Sequence, residues 1–340
     1  MNKMGFHVNL IWLYAVVLHI VASLVFGSLG YLGSVLVNLV TFLLVLTVCR
    51  QRNLTIRRWC HLSPIPLRQI GVILILTVLL FIIAGYLNGL SLLFTENLMA
   101  SALKETRTYF WQSILVYSLL PAIVEEMLFR GCIFRGIPDK KMAIFLSAAL
   151  FALLHMNFNQ MTYAFFVGLF FAAIVAATDN LSVTIVIHLL FNLINLINVA
   201  FYDHPVIEGL LHIRIGGYYP FAAGFFDERG QFQWSLLAVG SVLAAFAAGL
   251  AVLLISQMAK SEKGWRKDGR EERKNVEKFL ETEGTEETIL QGKTGEEKKR
   301  RRRKKEKVPF LWVAPWRPDG AFWIGCVICI LVATAYELLL

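Results

Sequence analysis

Apolar runs long enough to cross a bilayer alternate with short polar breaks along most of the chain. A crossing takes about 20 mostly apolar residues, because a helix rises about 1.5 Å per residue against a hydrocarbon core roughly 30 Å thick. Stretches that meet or approach this length run over about 9–26, 29–49, 70–94, 109–137, 142–158, 161–178, 181–202, 234–258 and 319–340. None alternates with the two-residue period of a barrel strand, and hydrocarbon gives backbone groups no partner outside their own helix. The expected fold class is all-α: a polytopic helical membrane protein with about 8–9 transmembrane helices and a buried Glu/His/His/Asn site.

The same pattern divides the chain into N-terminal spans (1–108), a helical core (109–202), an extracytosolic loop with an eighth span (203–258), a charged linker (259–310) and a last span (311–340). The first apolar run is long, has only Lys3 ahead of it and lacks a small-residue cleavage site, so it is expected to be retained as a span. Cations gather in three breaks. Arg50, Arg52, Arg57, Arg58 and Arg68 follow the second run, Arg130, Arg135, Lys140 and Lys141 the fourth, and Lys260 the eighth. All three breaks fall on one side, which the positive-inside rule makes cytosolic; the N-terminus is then cytosolic and the C-terminus, after nine spans, outside. The linker ends in Arg300, Arg301, Arg302, Arg303, Lys304 and Lys305, expected to lie against anionic lipid headgroups at about 1 kcal/mol per nearby basic residue. No aromatic side chains interleave these charges, so no nucleic-acid partner is expected. In the loop at 203–233, His204 and His212 are read as ordinary loop histidines.

Composition supports this picture and narrows it. At 57% hydrophobic and 17% charged, 340 residues are too apolar for a soluble domain, and the net charge of +9 belongs to the loops and linker. The five cysteines are odd in number and mostly inside apolar runs, so no disulfide framework is implied, and Cys326 and Cys329 share a helix face suited to packing. The absence of a visible internal repeat argues against an inverted-repeat transporter.

Ionisable side chains deep in a span cost from about 3 kcal/mol upward, so they mark pairs or functional sites. Here they cluster: span four holds Pro121-Ala-Ile-Val-Glu-Glu-Met-Leu-Phe-Arg130, span five ends Phe151-Ala-Leu-Leu-His155, and span seven carries His188-Leu-Leu-Phe-Asn192. Adjacent helix residues point about 100° apart, whereas residues four apart share a face. Glu126 therefore meets Arg130, Glu125 is left without a partner in its own span, and His188 shares a face with Asn192. Pro121 removes a hydrogen bond to the Tyr117 carbonyl and so opens or kinks the helix just before the acids. Counted from turns at 138–141 and 179–180, helical rise puts Glu125, His155 and Asn192 at a depth of about 20 Å and His188 at about 14 Å. Asn157, Asn159 and Gln160 oppose this by placing His155 within about a turn of the opposite loop; an inward dip of that loop would resolve the conflict, and the face to which the site opens is left undetermined. His19, a lone span histidine, is read as a packing residue. The convergence of a carboxylate, two imidazoles and an amide from three spans is read as a functional site.

These residues resemble the CPBP family of CAAX-processing and bacteriocin-processing intramembrane peptidases, also called Abi, whose pattern is Glu-Glu-x-x-x-Arg, Phe-x-x-x-His and His-x-x-x-Asn or Asp on successive spans. The match lies in Glu125, Glu126 and Arg130, in Phe151 and His155, and in His188 and Asn192, and extends over about Tyr109 to Asn198. The resemblance implies an endopeptidase acting on a prenylated C-terminal tail, a leader peptide or a membrane protein, with Glu125 and His155 activating water and His188 and Asn192 stabilising the oxyanion or orienting the water. Glu125, His155 and His188 also suit three ligands of a catalytic zinc with an open fourth position. The residues alone do not choose between this and a metal-free glutamate-dependent scheme, since the chain has no His-Glu-x-x-His element. The competing readings are a non-catalytic membrane scaffold or chaperone of the same fold and, with less support, an ion-coupled transporter. The resemblance places the protein in a bacterial cell membrane.

Overall fold

The structure, a computed structural model, describes residues 8–51, 55–95, 109–201, 204–211, 213, 215, 218, 225–226, 231–261 and 317–338. The charged linker beyond residue 261, with its basic run, and about half of the 203–233 loop, including His212, lie outside the described residues. The chain divides into two units, Met1–Ser256 with Trp316–Leu340, and Gln257–Pro315. The account below concerns the first.

The long helices are α1 (Val8–Phe26), α2 (Gly30–Gln51), α3 (Leu67–Ser91), α4 (Phe110–Gly136), α5 (Lys140–Leu154), α6 (Phe158–Thr178), α7 (Leu181–Ala200), α8 (Trp234–Ser261) and α9 (Gly320–Leu338). Each corresponds to an apolar run seen in the sequence. Among the described residues, 7 helical stretches are long and apolar enough to cross a membrane, with Val8–Gln51 taken as one. That stretch is in fact a hairpin, since α1 and α2 pack on each other through a short 3₁₀ turn, Gly27–Leu29, and the chain reverses at Gly30 with φ +58°. The outer surface is apolar, with Leu24 81% and Phe246 70% exposed. Such a surface is stable against acyl chains and not against water. The protein is an all-α, multi-pass integral membrane protein.

Helix α4 occupies the centre, in contact with α1, α2, α5, α6 and α7. Residues 126–134 are buried without interruption, as expected of a helix surrounded on all sides. Around it α5 pairs with α6, α3 packs on α6 and α7, and α9 packs on α1 and α5. Cys326 and Cys329 are buried in α9, the packing role expected of them. Helix α8 joins through the Tyr86 to Ser241 hydroxyl hydrogen bond of 2.7 Å.

Helix α4 is not a regular α-helix. It widens into π-helical turns at Ile114–Leu119 and Met127–Ile133, where the Leu120 N–H donates to the Leu115 carbonyl and the Phe134 N–H to that of Phe129, each five residues back. The first wide turn runs directly into Pro121, whose ring nitrogen cannot donate to Tyr117, so the opening expected at the proline takes the form of a π turn. Between the two wide turns lies one regular segment, Leu120–Glu126, which carries both glutamates.

One end of the bundle collects the basic breaks. Asp179, in the left-handed conformation at φ +53°, caps α6 and accepts from Arg135 Nη1 at 2.8 Å and His61 Nδ1 at 3.0 Å. Asn180 Oδ1 accepts from the Ser63 and Ser182 amides, which ties the segment after α2 to the α6–α7 turn. Arg130 does not belong to this group: grouped above with the cations of the fourth break, it lies inside α4 with no solvent exposure. The positive-inside argument rests instead on Arg50, Arg57, Arg135, Lys140 and Lys141.

At the opposite end the α5–α6 connection is sunk into the protein. Helix α5 has 15 residues, about 22 Å of rise, too short for a core roughly 30 Å thick. Met156, at φ +50°, turns the chain, the Asn157 side chain caps α6 by accepting from the Gln160 amide, and Asn159 is buried with its carbonyl accepting from Ser91 Oγ. This is the inward dip that the depth of His155 required.

Burial alone would raise the Asp179 carboxyl, but hydrogen bonds from His61 and Arg135 and the Arg135 charge hold it well below the usual carboxylate range. A carboxyl with a depressed native pKa stabilises the fold above the ordinary value near 3.9, and that contribution is lost as pH falls through the lower native value. Asp179→Asn keeps the tolerance for positive φ and removes the charge. We expect it to lower stability at pH 7 by up to about 1 kcal/mol, given the partial exposure of the pair. In thermal unfolding of detergent-solubilised protein the difference from wild type should shrink as pH falls below about 4; a pH-independent difference would contradict the ion-pair assignment.

Candidate active site

The six residues singled out on three spans converge. Arg130 Nη1 donates to Glu126 Oε1 at 2.8 Å, one helical turn apart and with both side chains inaccessible to solvent. Arg130 Nη2 donates to the Gly168 carbonyl of α6 at 3.0 Å. A Cβ at residue 168 would come within 3.2 Å of Nη2 and 3.1 Å of the Ala148 Cα, so any larger residue there would push α5 or the guanidinium back by a few tenths of an ångström. The guanidinium also lies over the rings of Phe151 and Phe171, 4.4 and 5.3 Å from their centroids. A buried cation is thereby supplied with a carboxylate, a carbonyl and two π faces, the partners that make its burial tolerable.

Glu126 Oε1 also meets His188 Nδ1 at 3.3 Å, and His188 Nε2 stands 3.9 Å from Glu125 Oε2. The groups thus form a chain: Arg130, Glu126, His188, Glu125. The two glutamates occupy different environments, as their angular separation predicted. Glu126 has no exposure, whereas Glu125 is 27% exposed and faces a cavity of about 440 Å³. His155, His188 and Asn192 line the same cavity. His155 follows the last turn of α5, and its Nδ1 is 2.8 Å from the Phe151 carbonyl. A carbonyl only accepts, so Nδ1 carries the hydrogen and Nε2 of the neutral ring holds the lone pair. Phe151 packs edge-on against both imidazoles, with centroids 4.9 Å from His155 and 5.9 Å from His188.

Glu125, His155 and His188 share the cavity but do not gather into a metal-binding cluster: among the described residues no group of three His, Cys, Asp or Glu side chains is placed to hold a metal ion. The arrangement does not fit the three-ligand zinc site considered from the sequence, so the chemistry below is derived from the side chains themselves.

Several features were not foreseen. The Glu126 to His188 contact crosses from α4 to α7, and spacing within one helix cannot reveal it. His19, read as a packing residue, lines the cavity from α1, while Asn38 and Thr41 line it from α2 and Gln160 and Tyr163 from α6. Asn195 also lines it, and that placement was legible, because it lies seven residues after His188 and three after Asn192 on the same face.

Residues 107–194 match the family described as Type II CAAX prenyl endopeptidase Rce1-like. The segment reaches from just before α4 into α7 and contains every residue of the three motifs, so the resemblance to CAAX-processing membrane endopeptidases is borne out over that part of the chain. Helices α1–α3, α8 and α9 lie outside it. No curated protein and no solved structure matches the chain.

Truncating Arg130 leaves Glu126 in a dry interior with His188 but without its cation, and breaking a buried pair costs about 3–5 kcal/mol. Arg130→Ala is expected to lower the unfolding midpoint in detergent sharply. Arg130→Lys should recover only part of it, because a point charge cannot bridge carboxylate and carbonyl while stacking on Phe151. Wild-type stability in the alanine variant would show that the pair does not anchor α4.

Proposed function

We propose that this protein is an intramembrane endopeptidase that hydrolyses peptide bonds of a membrane-associated substrate with a water activated by Glu125 and His155. The observation that carries the reading is the chain Arg130–Glu126–His188–Glu125, buried at one end and open to the cavity at the other. Arg130 neutralises Glu126, and Glu126 fixes the His188 ring through Nδ1 so that Nε2 is presented beside Glu125. When both His188 nitrogens carry hydrogen, the charges along the chain alternate and sum to zero, a balance favoured where water is scarce.

A water between Glu125 and His155 has an acceptor for each hydrogen, the Glu125 carboxylate and His155 Nε2. Glu125 takes a proton as the water oxygen attacks the carbonyl carbon. Asn192 and His188 donate to the developing oxyanion, where preplaced donors act strongly in a site with little competing water. Glu125 then returns the proton to the amide nitrogen as the C–N bond breaks, giving a carboxylic acid and an amine. The substrate is a prenylated C-terminal tail, a leader peptide or a membrane protein, and the membrane is that of a bacterial cell. The basic linker holds anionic lipid headgroups.

The decisive comparison is terminus-resolved mass spectrometry of membranes from cells expressing wild type, Glu125→Ala or His188→Ala at equal abundance. New peptide termini are expected with wild type alone. On a substrate so identified, Glu125→Ala should reduce kcat about 10²–10⁴-fold and Asn192→Ala about 10²–10³-fold, and dialysis against a chelator should leave the rate unchanged. Wild-type function retained by Glu125→Ala would favour the scaffold, and proton flux in proteoliposomes the transporter.

A further inference from the structure

A peptide carbonyl within a helix is bonded to the N–H four residues on and screened by its own turn, out of reach of a water held at Glu125. The scissile segment therefore reaches the site unwound, with N–H and C=O groups that no longer bond within their own helix. At membrane depth each exposed backbone group left unsatisfied costs several-fold to orders of magnitude in affinity, so the cavity wall must supply partners. The oxyanion donors meet one carbonyl only.

Asn38 and Thr41 of α2, three residues apart on one face, line the same cavity as Glu125. Asn38 Nδ2 donates one of its two hydrogens to the Ser34 carbonyl at 3.0 Å, and Thr41 Oγ1 donates its only one to that of Val37 at 3.2 Å. Each keeps an acceptor, Asn38 Oδ1 and the remaining lone pairs of Thr41 Oγ1, and Asn38 also keeps its second N–H. The amides of Gln160 and Asn195 line the same cavity and can both donate and accept.

We infer that Asn38 and Thr41 of α2 form a backbone-binding strip that accepts N–H groups of the unwound substrate segment and aligns its scissile carbonyl with Glu125. This rests on the endopeptidase reading and adds to it a substrate-positioning element outside the segment that matches the peptidase family. The strip recognises a stripped peptide backbone whatever its side chains, so sequence preference must arise elsewhere in the cavity.

The test follows wild-type-dependent termini in cell membranes after pulsed expression, using the full chain at matched abundance and matched unfolding midpoint. Asn38→Leu combined with Thr41→Val removes both acceptors at similar volume and should slow the appearance of those termini at least tenfold. Thr41→Ser, in an otherwise wild-type chain, keeps the hydroxyl and should retain the wild-type rate, a distinction that a packing role would not produce. On the purified protein and a peptide spanning one mapped site, the double variant should raise KM more than it lowers kcat. Wild-type rates in the stable double variant, with Glu125→Ala still inactive, would overturn the strip and leave the peptidase reading intact. Termini unaffected by Glu125→Ala, or no wild-type-dependent termini at all, would overturn both.

Discussion

The bundle is organised around a guanidinium and a carboxylate 2.8 Å apart in a region that excludes water. Neither Arg130 nor Glu126 is tolerable there alone, and the surroundings are arranged accordingly. The glycine at 168 lets α6 approach closely enough for its carbonyl to receive the second guanidinium nitrogen, and Phe151 and Phe171 cover the cation with their ring faces. The second task of Glu126, accepting from His188 across to α7, links the buried pair to groups that reach the cavity. Buried pairs of this kind add little net stability over a well-packed apolar core, because desolvation offsets much of the attraction. Their value here is registry: α4, α5, α6 and α7 all contribute to the surroundings of one charge, so the pair fixes how these helices sit together.

The backbone of α4 shows a second constraint. A regular helix through Pro121 would leave the Tyr117 carbonyl short of its usual partner, and the wide turn before the proline redistributes those bonds. A second wide turn begins at Met127, directly after the acids, and runs through Arg130. The glutamates are therefore carried on a short regular stretch framed by two adjustable ones.

Much of this was legible in advance, and the boundary between what was and what was not is physical. Long apolar runs located the helices because the solvent imposes their length. The four-residue spacing of Glu126 and Arg130 gave their pairing, and the proline announced an irregularity. Arg130 was grouped with the loop cations because hydropathy counts charges without seeing their partners. The short α5 and its sunken turn appeared in sequence only as a conflict, polar residues at 157–160 next to a histidine that needed depth, and the fold resolves it by burying the turn. The α1–α2 wall of the cavity was not legible, since nothing local to His19, Asn38 or Thr41 says which distant helix they will face.

Two glutamates side by side are the feature that the chemistry most requires. A single carboxylate cannot serve both as the permanent counter-ion of a buried arginine and as a base, because taking a proton would leave the arginine charge unbalanced. Successive positions on a helix diverge by about 100°, so the pair serves both needs from one turn. Glu126 turns inward, loses all contact with solvent and holds Arg130 and His188, while Glu125 keeps 27% of its side-chain surface and looks into the cavity. The link between them is His188, whose Nδ1 bonds Glu126 at 3.3 Å while its Nε2 stands 3.9 Å from Glu125. The buried anchor and the cavity-facing carboxylate are thereby linked through a single imidazole. A displacement of α7 that moves the His188 ring alters its approach to both glutamates at once.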